Sequence, residues 1–449
     1  MDIFSYIPQF GGVLYTLLSF VVALSIIVAV HEYGHYIVGR WSGIHADVFS
    51  LGFGPVLYSR MDKRGTRWQI AALPFGGYVK FMGDANAASG KDAEAMQAAA
   101  MDPVELRKTM HGAPLWARTA TVAAGPAFNF IMSIAVFSAI FMLRGVASDP
   151  LTVGEIRALP GGFHQLQQGD EILAINGAQT PNFDDAGAWK SFTDDIPARA
   201  VLEYRVRRDG QTMTVNGPYL FPPQVVQVAP RSAAMDIALE PGDVITAIGT
   251  TPVFAFNQLK EAVEASDGRP LMLDVWRNGE IMKLALQARR TDEPQPDGGF
   301  LTSWRIGIAG GMAFKPATES TGAIESVTGG VGQTLDIVQG SLSGLWHMVT
   351  GAISTCNISG PIGIAETSGA MASQGVQSFI WFIAVLSTAV GLMNLFPIPA
   401  LDGGHLVFYA YEAVAGRPPN ELALRIMMTV GLALILSLMV FAVGNDLFC

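Results

Sequence analysis

Between residues 3 and 30 the chain carries no charge, and the apolar run closes on His31-Glu32-Tyr33-Gly34-His35. A helix needs about 20 predominantly apolar residues to cross a hydrocarbon core. Residues 13–30, with their continuation through His35, meet that length. Three later stretches meet it as well: 119–143, 376–401 and 426–444. Half of the 449 residues are hydrophobic and only 15% are charged, with the apolar content gathered in these blocks. That is the composition of a membrane protein and excludes an ordinary soluble enzyme. Four spans are expected.

No Lys or Arg precedes the first run and no small-residue cleavage site follows it, so it is read as a retained span. Residues 40–118 hold a cluster of basic side chains, among them Arg40, Arg60, Lys63, Arg64, Arg67 and Arg118. The positive-inside rule assigns this stretch to the cytoplasm. The N-terminus, the long insert after the second span and the C-terminus then lie outside, and the Arg417/Arg425 loop lies inside. A net charge of −10 and the absence of a basic groove with interleaved aromatics argue against nucleic acid. Cys356 and Cys449 are the two cysteines, and so distant a pair reads as unpaired thiols rather than a disulfide framework or a thiolate zinc site.

After the first span, apolar runs at 56–58 and 68–73 flank the charged turn MDKRG, a hairpin pattern, with GFGP and PFGGY beside them. This predicts a membrane-associated β element, which is tolerated at membrane depth only where protein covers it or it lines a watery cavity. Residues 85–100 are alanine-rich and polar and read as a mobile connection. From about 150 to 292 short alternating strands replace the long apolar blocks, and an internal repeat emerges. Gly169-Asp170-Glu171-Ile172-Leu173-Ala174-Ile175 aligns with Gly242-Asp243-Val244-Ile245-Thr246-Ala247-Ile248. Asp209-Gly210 and Asn278-Gly279 mark hairpin turns in the following strands. The G-D-x-I-x-x-I pattern resembles the PDZ domain, which captures an extended peptide at a sheet edge. The plainer alternative is a pair of β domains with no peptide ligand. Leu335, Val338, Leu342, Leu345 and Val349 form a helical stripe that suits either the outer membrane surface or packing on the β repeats.

His31-Glu32-Tyr33-Gly34-His35 is H-E-x-x-H on a helix. A spacing of four puts both imidazoles on one face, where they can share one zinc ion. Glu32, three residues before His35, can take a proton from a water held there. Such motifs also arise by chance as solvated salt-bridging faces, but ionisable groups near the end of a span are costly unless they bind something. A third ligand is still required. No glutamate lies between Glu32 and Glu94, and Val38 and Trp41 stand where a further glycine and histidine would be needed in the soluble pattern. His45 and Asp47 fall beyond Gly43, past the expected helix end. The stronger candidate is Asp402 in Asn394-Leu395-Phe396-Pro397-Ile398-Pro399-Ala400-Leu401-Asp402-Gly403. Its two prolines must break the third span near its cytoplasmic end, and spans one and three run in the same direction, so Asp402 and the histidines reach similar depth. His405 reads as a supporting residue rather than a ligand. Asn129, a polar residue of span two, reads chiefly as a helix-packing residue, with a hydrogen bond to another span as the functional alternative.

With these motifs the chain resembles the intramembrane site-2 protease family, and in particular its bacterial regulator-of-sigma-E protease branch. His31, Glu32 and His35 match the zinc motif, and Asn394, Pro397, Pro399, Leu401, Asp402 and Gly403 match N-x-x-P-x-P-x-L-D-G without departure. GFGP, PFGGYVK, GPAFNF and SGPIGIA also look like that branch. The resemblance implies one Zn2+ per chain held by His31, His35 and Asp402, with Glu32 as general base and later proton donor. It further implies that Asn394 contacts substrate or stabilises the tetrahedral intermediate. Gly77, Tyr78 and Val79 lie in the hairpin strand offered to an unwound substrate.

The expected fold is a polytopic α-helical membrane protein with four transmembrane helices, a membrane-associated β-hairpin or sheet, and two tandem PDZ-like domains outside the cytoplasm. Its parts are a first span with HExxH (1–45), the β element (46–84), a cytoplasmic connection (85–118) and a second span (119–143). PDZ-like domains follow at 148–220 and 221–292, then an amphipathic helix and linker (293–375). The third span with the LDG motif (376–403), a loop (404–425) and the fourth span with the tail (426–449) complete the chain. The implied activity is zinc endopeptidase cleavage within the transmembrane segment of single-pass proteins in the bacterial inner membrane. Anti-sigma factors already cut outside by a site-1-type protease are the implied substrates, with remnant signal peptides as a second class, in the envelope stress response. The active site faces the cytoplasmic side, and the PDZ-like pair gates access from the periplasm. The rival class is a non-catalytic PDZ-bearing membrane adaptor with a structural zinc, which has no use for Glu32.

Overall fold

The computed structural model describes residues 7–85, 92–161, 165–182, 186–295 and 299–448. The chain divides into two compact units, one of them helical and the other rich in strands. Residues 86–91 of the alanine-rich connection, the extreme N-terminus and Cys449 lie outside the described residues.

In the helical unit the four apolar stretches form four helices long and apolar enough to cross a membrane, Gly12–Trp41, Leu115–Arg144, Val376–Asn394 and Glu421–Phe448. The first is the end of a longer helix, Ile7–Trp41. Ala23 and Ile27 of the first span are fully buried and pack with Ile383 of the third. Spans one and two approach closely at Gly34, where an added Cβ would stand 2.5 Å from the Ala124 carbonyl oxygen. Only a residue without a side chain permits that approach.

The third span is shorter than the sequence suggests. It ends at Asn394, and the chain is non-helical until a new helix starts at Asp402 and runs to Ala415. Pro397 and Pro399 supply no N–H to continue the ladder. A further helix, Pro361–Ser373, occupies part of the region read as linker. Its free N-terminal amides are satisfied by Asp446 of the fourth span, which accepts from Gly360, Ile362 and Gly363 at 2.9, 3.1 and 3.1 Å. Its Gly369 lies against Thr16 of the first span. SGPIGIA is thus the start of a packed helix. Cys356 is disulfide-bonded, against the expectation of unpaired thiols. A disulfide joins residues that folding brings together, which spacing along the chain does not report.

Two long strands, β1 (Ala46–Met61) and β2 (Arg67–Phe81), form the β element. Met61 pairs with Arg67 across the MDKRG turn, as the hairpin pattern predicts. The strands also bend, so that Phe49 pairs with Trp68 on one side and with Val79 on the other. Gly52 makes the bend possible: its φ is +89°, and a Cβ there would meet the Leu73 and Ala71 carbonyl oxygens at 2.8 and 2.9 Å. Tyr36 of the first span, Phe49, Val79 and Phe81 share one buried cluster with Met110 and Ala117. The connection between β2 and the second span is more structured than its composition suggests. Asp92 caps a helix at Ala93–Ala99, Asp102 caps another at Pro103–Lys108, and Met110 N–H donates to the Met82 carbonyl at 2.9 Å.

The strand-rich unit carries the internal repeat as two four-stranded antiparallel sheets of one topology. One has the order Ala178–Gln179, Glu171–Ile175, Leu202–Arg208, Gln211–Gly217; the other Thr251–Pro252, Val244–Ile248, Leu271–Arg277, Glu280–Leu286. Both residues of each predicted hairpin turn have positive φ, +49° and +78° at Asp209-Gly210 and +51° and +98° at Asn278-Gly279. This is the turn geometry that matches strand twist. Asp170 is fully buried and receives Nε and Nη2 of Arg208, at 2.6 and 2.8 Å, and the Gln167 N–H. Asp243 repeats the arrangement with Arg277, 2.6 Å for both contacts, and the Glu240 N–H. The aspartate of each G-D pair is therefore a structural clasp.

Strands continue past residue 292, where the sequence reading places a linker. Ile308–Ala309 pairs with Gln227–Val228, and Phe314–Pro316 returns to pair with Val153–Ile156 of the first repeat. Pairing across that separation has no local signature. The helix with the Leu335 stripe runs from Ala323 to Val349, and Leu335, Leu342, Leu345 and Val349 remain exposed.

Candidate metal centre

Within the helical unit the structure brings His31, His35 and Asp402 together. His31 Nε2 lies 3.1 Å from His35 Nε2 and 3.1 Å from Asp402 Oδ2, and His35 Nε2 lies 3.5 Å from the same oxygen. Side-chain exposure is 12% for each histidine and 18% for the aspartate. Among the described residues these three alone form a group able to hold a metal ion. Ligands about 2.0–2.1 Å from a tetrahedral zinc stand roughly 3.3 Å apart, which is the spacing seen here. Asp402 Oδ2 is buried with no hydrogen-bond partner. A cation among the three atoms removes that deficit, so the residues fit zinc.

Each member is held in place by close packing. His35 Nδ1 donates to the Thr121 carbonyl of the second span at 2.9 Å, which turns Nε2 toward Asp402. Gly125, one turn further along, faces both rings: a Cβ there would meet His35 Nε2 at 2.3 Å and His31 Cε1 at 2.9 Å. Asp402 is set by the two glycines after it. A Cβ on Gly403 would stand 2.3 Å from the Phe396 carbonyl oxygen, and one on Gly404 2.3 Å from that of Ile398. The LDGG turn therefore seats directly on the broken end of span three. Further along the same helix Glu412 accepts both terminal nitrogens of Arg118, at 3.0 and 2.6 Å, tying it to the second span.

Glu32 lies within electrostatic reach of His31, His35, Asp402 and the backbone N–H of Val79. Gly77 packs on the same side chain, its absent Cβ lying 3.1 Å from Glu32 Cγ and 2.9 Å from Val28 Cγ1. Tyr78 OH accepts from Gln69, and its ring stacks on Phe53. Asn394 is not drawn into the group: its Nδ2 donates to the Val390 carbonyl of its own helix at 3.0 Å. His405 packs edge-on against Phe408 and is not a member, and His45 pairs with Asp47 at 3.7 Å away from the site.

A model of Peptidase family M50 matches residues 19–438, which includes every residue of this site. The chain belongs to peptidase family M50. This family is that of the site-2 proteases, so this M50 peptidase is a membrane-embedded zinc metalloprotease acting on membrane protein substrates. Relatives named "Putative zinc metalloprotease" are similar over nearly the whole chain. That of Rhizobium meliloti strain 1021 is 36% identical over 434 residues, covering 96% of each chain. That of Agrobacterium fabrum strain C58 is 35% identical over 435 residues, 96% of this chain and 95% of its own. That of Vibrio cholerae serotype O1 is 31% identical over 469 residues, 97% and 98%. The adaptor reading is thereby set aside.

Thr121 and Gly125 escaped the sequence reading. Thr121 acts through its backbone carbonyl, which no side chain advertises. Gly125 belongs to GPAFNF, and a glycine beside a proline within an apolar span was the available signal. A cavity of about 680 Å³ lies elsewhere, in the strand-rich unit, between the helices Ala186–Asp195 and Phe256–Ala265; Trp189, Lys190, Phe221, Lys260 and Glu264 are among its lining residues. Among the described residues the cavity holds no group of metal ligands, so the two features of the molecule are separate.

Proposed function

We propose that this M50 peptidase hydrolyses a peptide bond inside the transmembrane segment of single-pass membrane proteins, with His31, His35 and Asp402 as the ligands of one Zn2+ and Glu32 as the general base. The observation that carries this reading is the convergence of the three ligand atoms, 3.1 to 3.5 Å apart, beside a glutamate near the end of a membrane-length helix. When bound, zinc polarises the scissile carbonyl and lowers the pKa of a coordinated water toward about 7. Glu32 takes the proton of the attacking water and passes it to the leaving amine. Gly77 lets β2 seat directly against Glu32 and Val28, and the strand through Tyr78 and Val79 supplies the edge on which an unwound segment is held. Asn394 contacts the substrate or steadies the tetrahedral intermediate from the end of the third span.

The basic residues at 40–118 support a cytoplasmic position for that loop, and hence an inner-membrane enzyme with its site toward the cytoplasm and the strand-rich unit in the periplasm. The two repeats are read as PDZ-like domains that gate access, placing this chain in the regulator-of-sigma-E protease branch. Anti-sigma factors already cut outside by a site-1-type protease, and remnant signal peptides, are the proposed substrates in an envelope stress response.

The test is cleavage of a panel of single-pass segments by the purified full chain in detergent, with zinc measured in parallel. Glu32→Gln is expected to lose about 10²- to 10⁴-fold in rate while retaining zinc, and Asp402→Ala to lose both zinc and cleavage. Full activity in Glu32→Gln, or full zinc in Asp402→Ala, would overturn the assignment.

A further inference from the structure

Asn129 lies in the second span with 0% exposure. Its Nδ2 stands 3.2 Å from His31 Nδ1, and its Oδ1 is buried with no hydrogen-bond partner. Helix packing alone does not ask for an amide here, since a buried polar atom without a partner costs about 1–3 kcal/mol.

The position matters because of what the other end of the imidazole does. His31 Nε2 faces the atoms of His35 and Asp402 at 3.1 Å, so on the zinc reading of the site, on which this inference rests, Nε2 offers its lone pair to the metal. A neutral imidazole then carries its single proton on Nδ1. An N–H facing the amide NH2 of Asn129 would set donor against donor. The oxygen and nitrogen of a side-chain amide are exchanged by a half-turn about one bond, and their assignment follows from the hydrogen-bond network. With that half-turn the unpartnered Oδ1 accepts the His31 proton.

The second ligand histidine has the matching arrangement. His35 Nδ1 donates to the Thr121 carbonyl oxygen, an atom that can only accept. Thr121, Gly125 and Asn129 recur every four residues along one face of the second span, and that face meets His35, both rings, and His31 in turn. Asn129 is also held rigidly. Its backbone carbonyl receives Ser133 Oγ and Ser387 Oγ, each at 3.0 Å, and Ser133 also reaches the Ala384 backbone carbonyl of the third span at 2.8 Å. Gly391 allows the close contact, its absent Cβ lying 3.2 Å from Asn129 Cβ.

We propose that Asn129 is a positioning residue of the zinc site, accepting the Nδ1 proton of His31 through Oδ1 and so fixing the tautomer that presents Nε2 to the metal.

The test is zinc affinity of the full chain in detergent, measured by chelator competition for Asn129→Leu, Asn129→Asp and the unaltered protein. Asn129→Leu keeps the shape and removes the acceptor, and is expected to weaken zinc binding about 10- to 100-fold. Asn129→Asp keeps an acceptor and is expected to restore binding close to that of the unaltered protein. A packing role predicts the opposite order, because a buried carboxylate is the more disruptive change. Equal affinity in Asn129→Leu, or Asn129→Asp as weak as Asn129→Leu, overturns the proposal. If Asn129→Leu does not fold, the 15N spectrum of the zinc-loaded, histidine-labelled protein decides: a protonated His31 Nδ1 supports the role and an unprotonated one overturns it. A protein that binds no zinc, or binds it equally well as His31→Ala, sinks the underlying zinc assignment instead.

Discussion

The backbone N–H of Val79, in β2, lies within electrostatic reach of the carboxylate of Glu32, in the first span. A strand edge and a membrane-length helix thus meet at the residue assigned the proton transfer. On the proposed function, the strand orients the carboxylate and offers its neighbouring backbone groups to a substrate.

Val79→Pro removes that donor, and proline is tolerated at a strand edge. A small displacement of a reacting group costs about 10²-fold in rate. Cleavage of a membrane segment is expected to fall by about that factor with zinc content unchanged. Undiminished cleavage would show that the strand plays no part in the reaction.

Gly125→Ala places a methyl 2.3 Å from His35 Nε2. Overpacking a tight site costs about 1–3 kcal/mol, so zinc affinity should fall roughly 5- to 150-fold. Chelator competition measures it, and the helical unit is expected to remain folded.

Arg208→Met and Arg277→Met each strand a buried aspartate, Asp170 at 0% and Asp243 at 1% exposure. Removing one partner of a buried pair costs about 3–5 kcal/mol. The two substitutions should destabilise the strand-rich unit to a similar extent, read as earlier proteolysis of that unit in a urea series. A large effect at one site and none at the other would break the equivalence of the repeats.

Hydrogen bonds from Arg305 hold the Glu293 carboxyl below its ordinary value of 4.5, against a smaller opposing effect of burial. A depressed acid contributes stability that is present above its unfolded value and is lost as pH falls through the folded value. The strand-rich unit should therefore weaken with acidification below about 4.5. Arg305→Met should reduce that pH dependence, which thermal unfolding between neutral and acidic pH can follow.

Much of the metal site was legible because its two halves carry their own local signals. HEYGH has the four-residue spacing of one helix face, and PIPALDGG announces a broken helix by its prolines. The clasp residues Asp170 and Asp243 were visible as a repeat, though not as partners of Arg208 and Arg277. What stayed hidden shares one property: the partner is a backbone group or lies far along the chain. The Thr121 carbonyl, the double pairing of Phe49, the return of Phe314–Pro316 to Val153–Ile156, and the disulfide at Cys356 all belong to this kind. Asn394 shows the converse, since a motif position marked by sequence does not join the ligand group in space.

By itself the sequence determined which segments enter a membrane, because hydropathy acts along the chain, and which residue types can coordinate a metal. It also determined where helices must stop and where hairpins must turn, since proline and Asp-Gly or Asn-Gly act locally. Only the tertiary structure decided that Asp402 completes the histidine pair, that Thr121 and Asn129 sit behind the two rings, and that Val79 meets Glu32. Those relations depend on how closely helices and strands approach. That approach is set by the missing side chains of Gly34, Gly125, Gly403 and Gly404, whose effect exists only against the neighbours they touch.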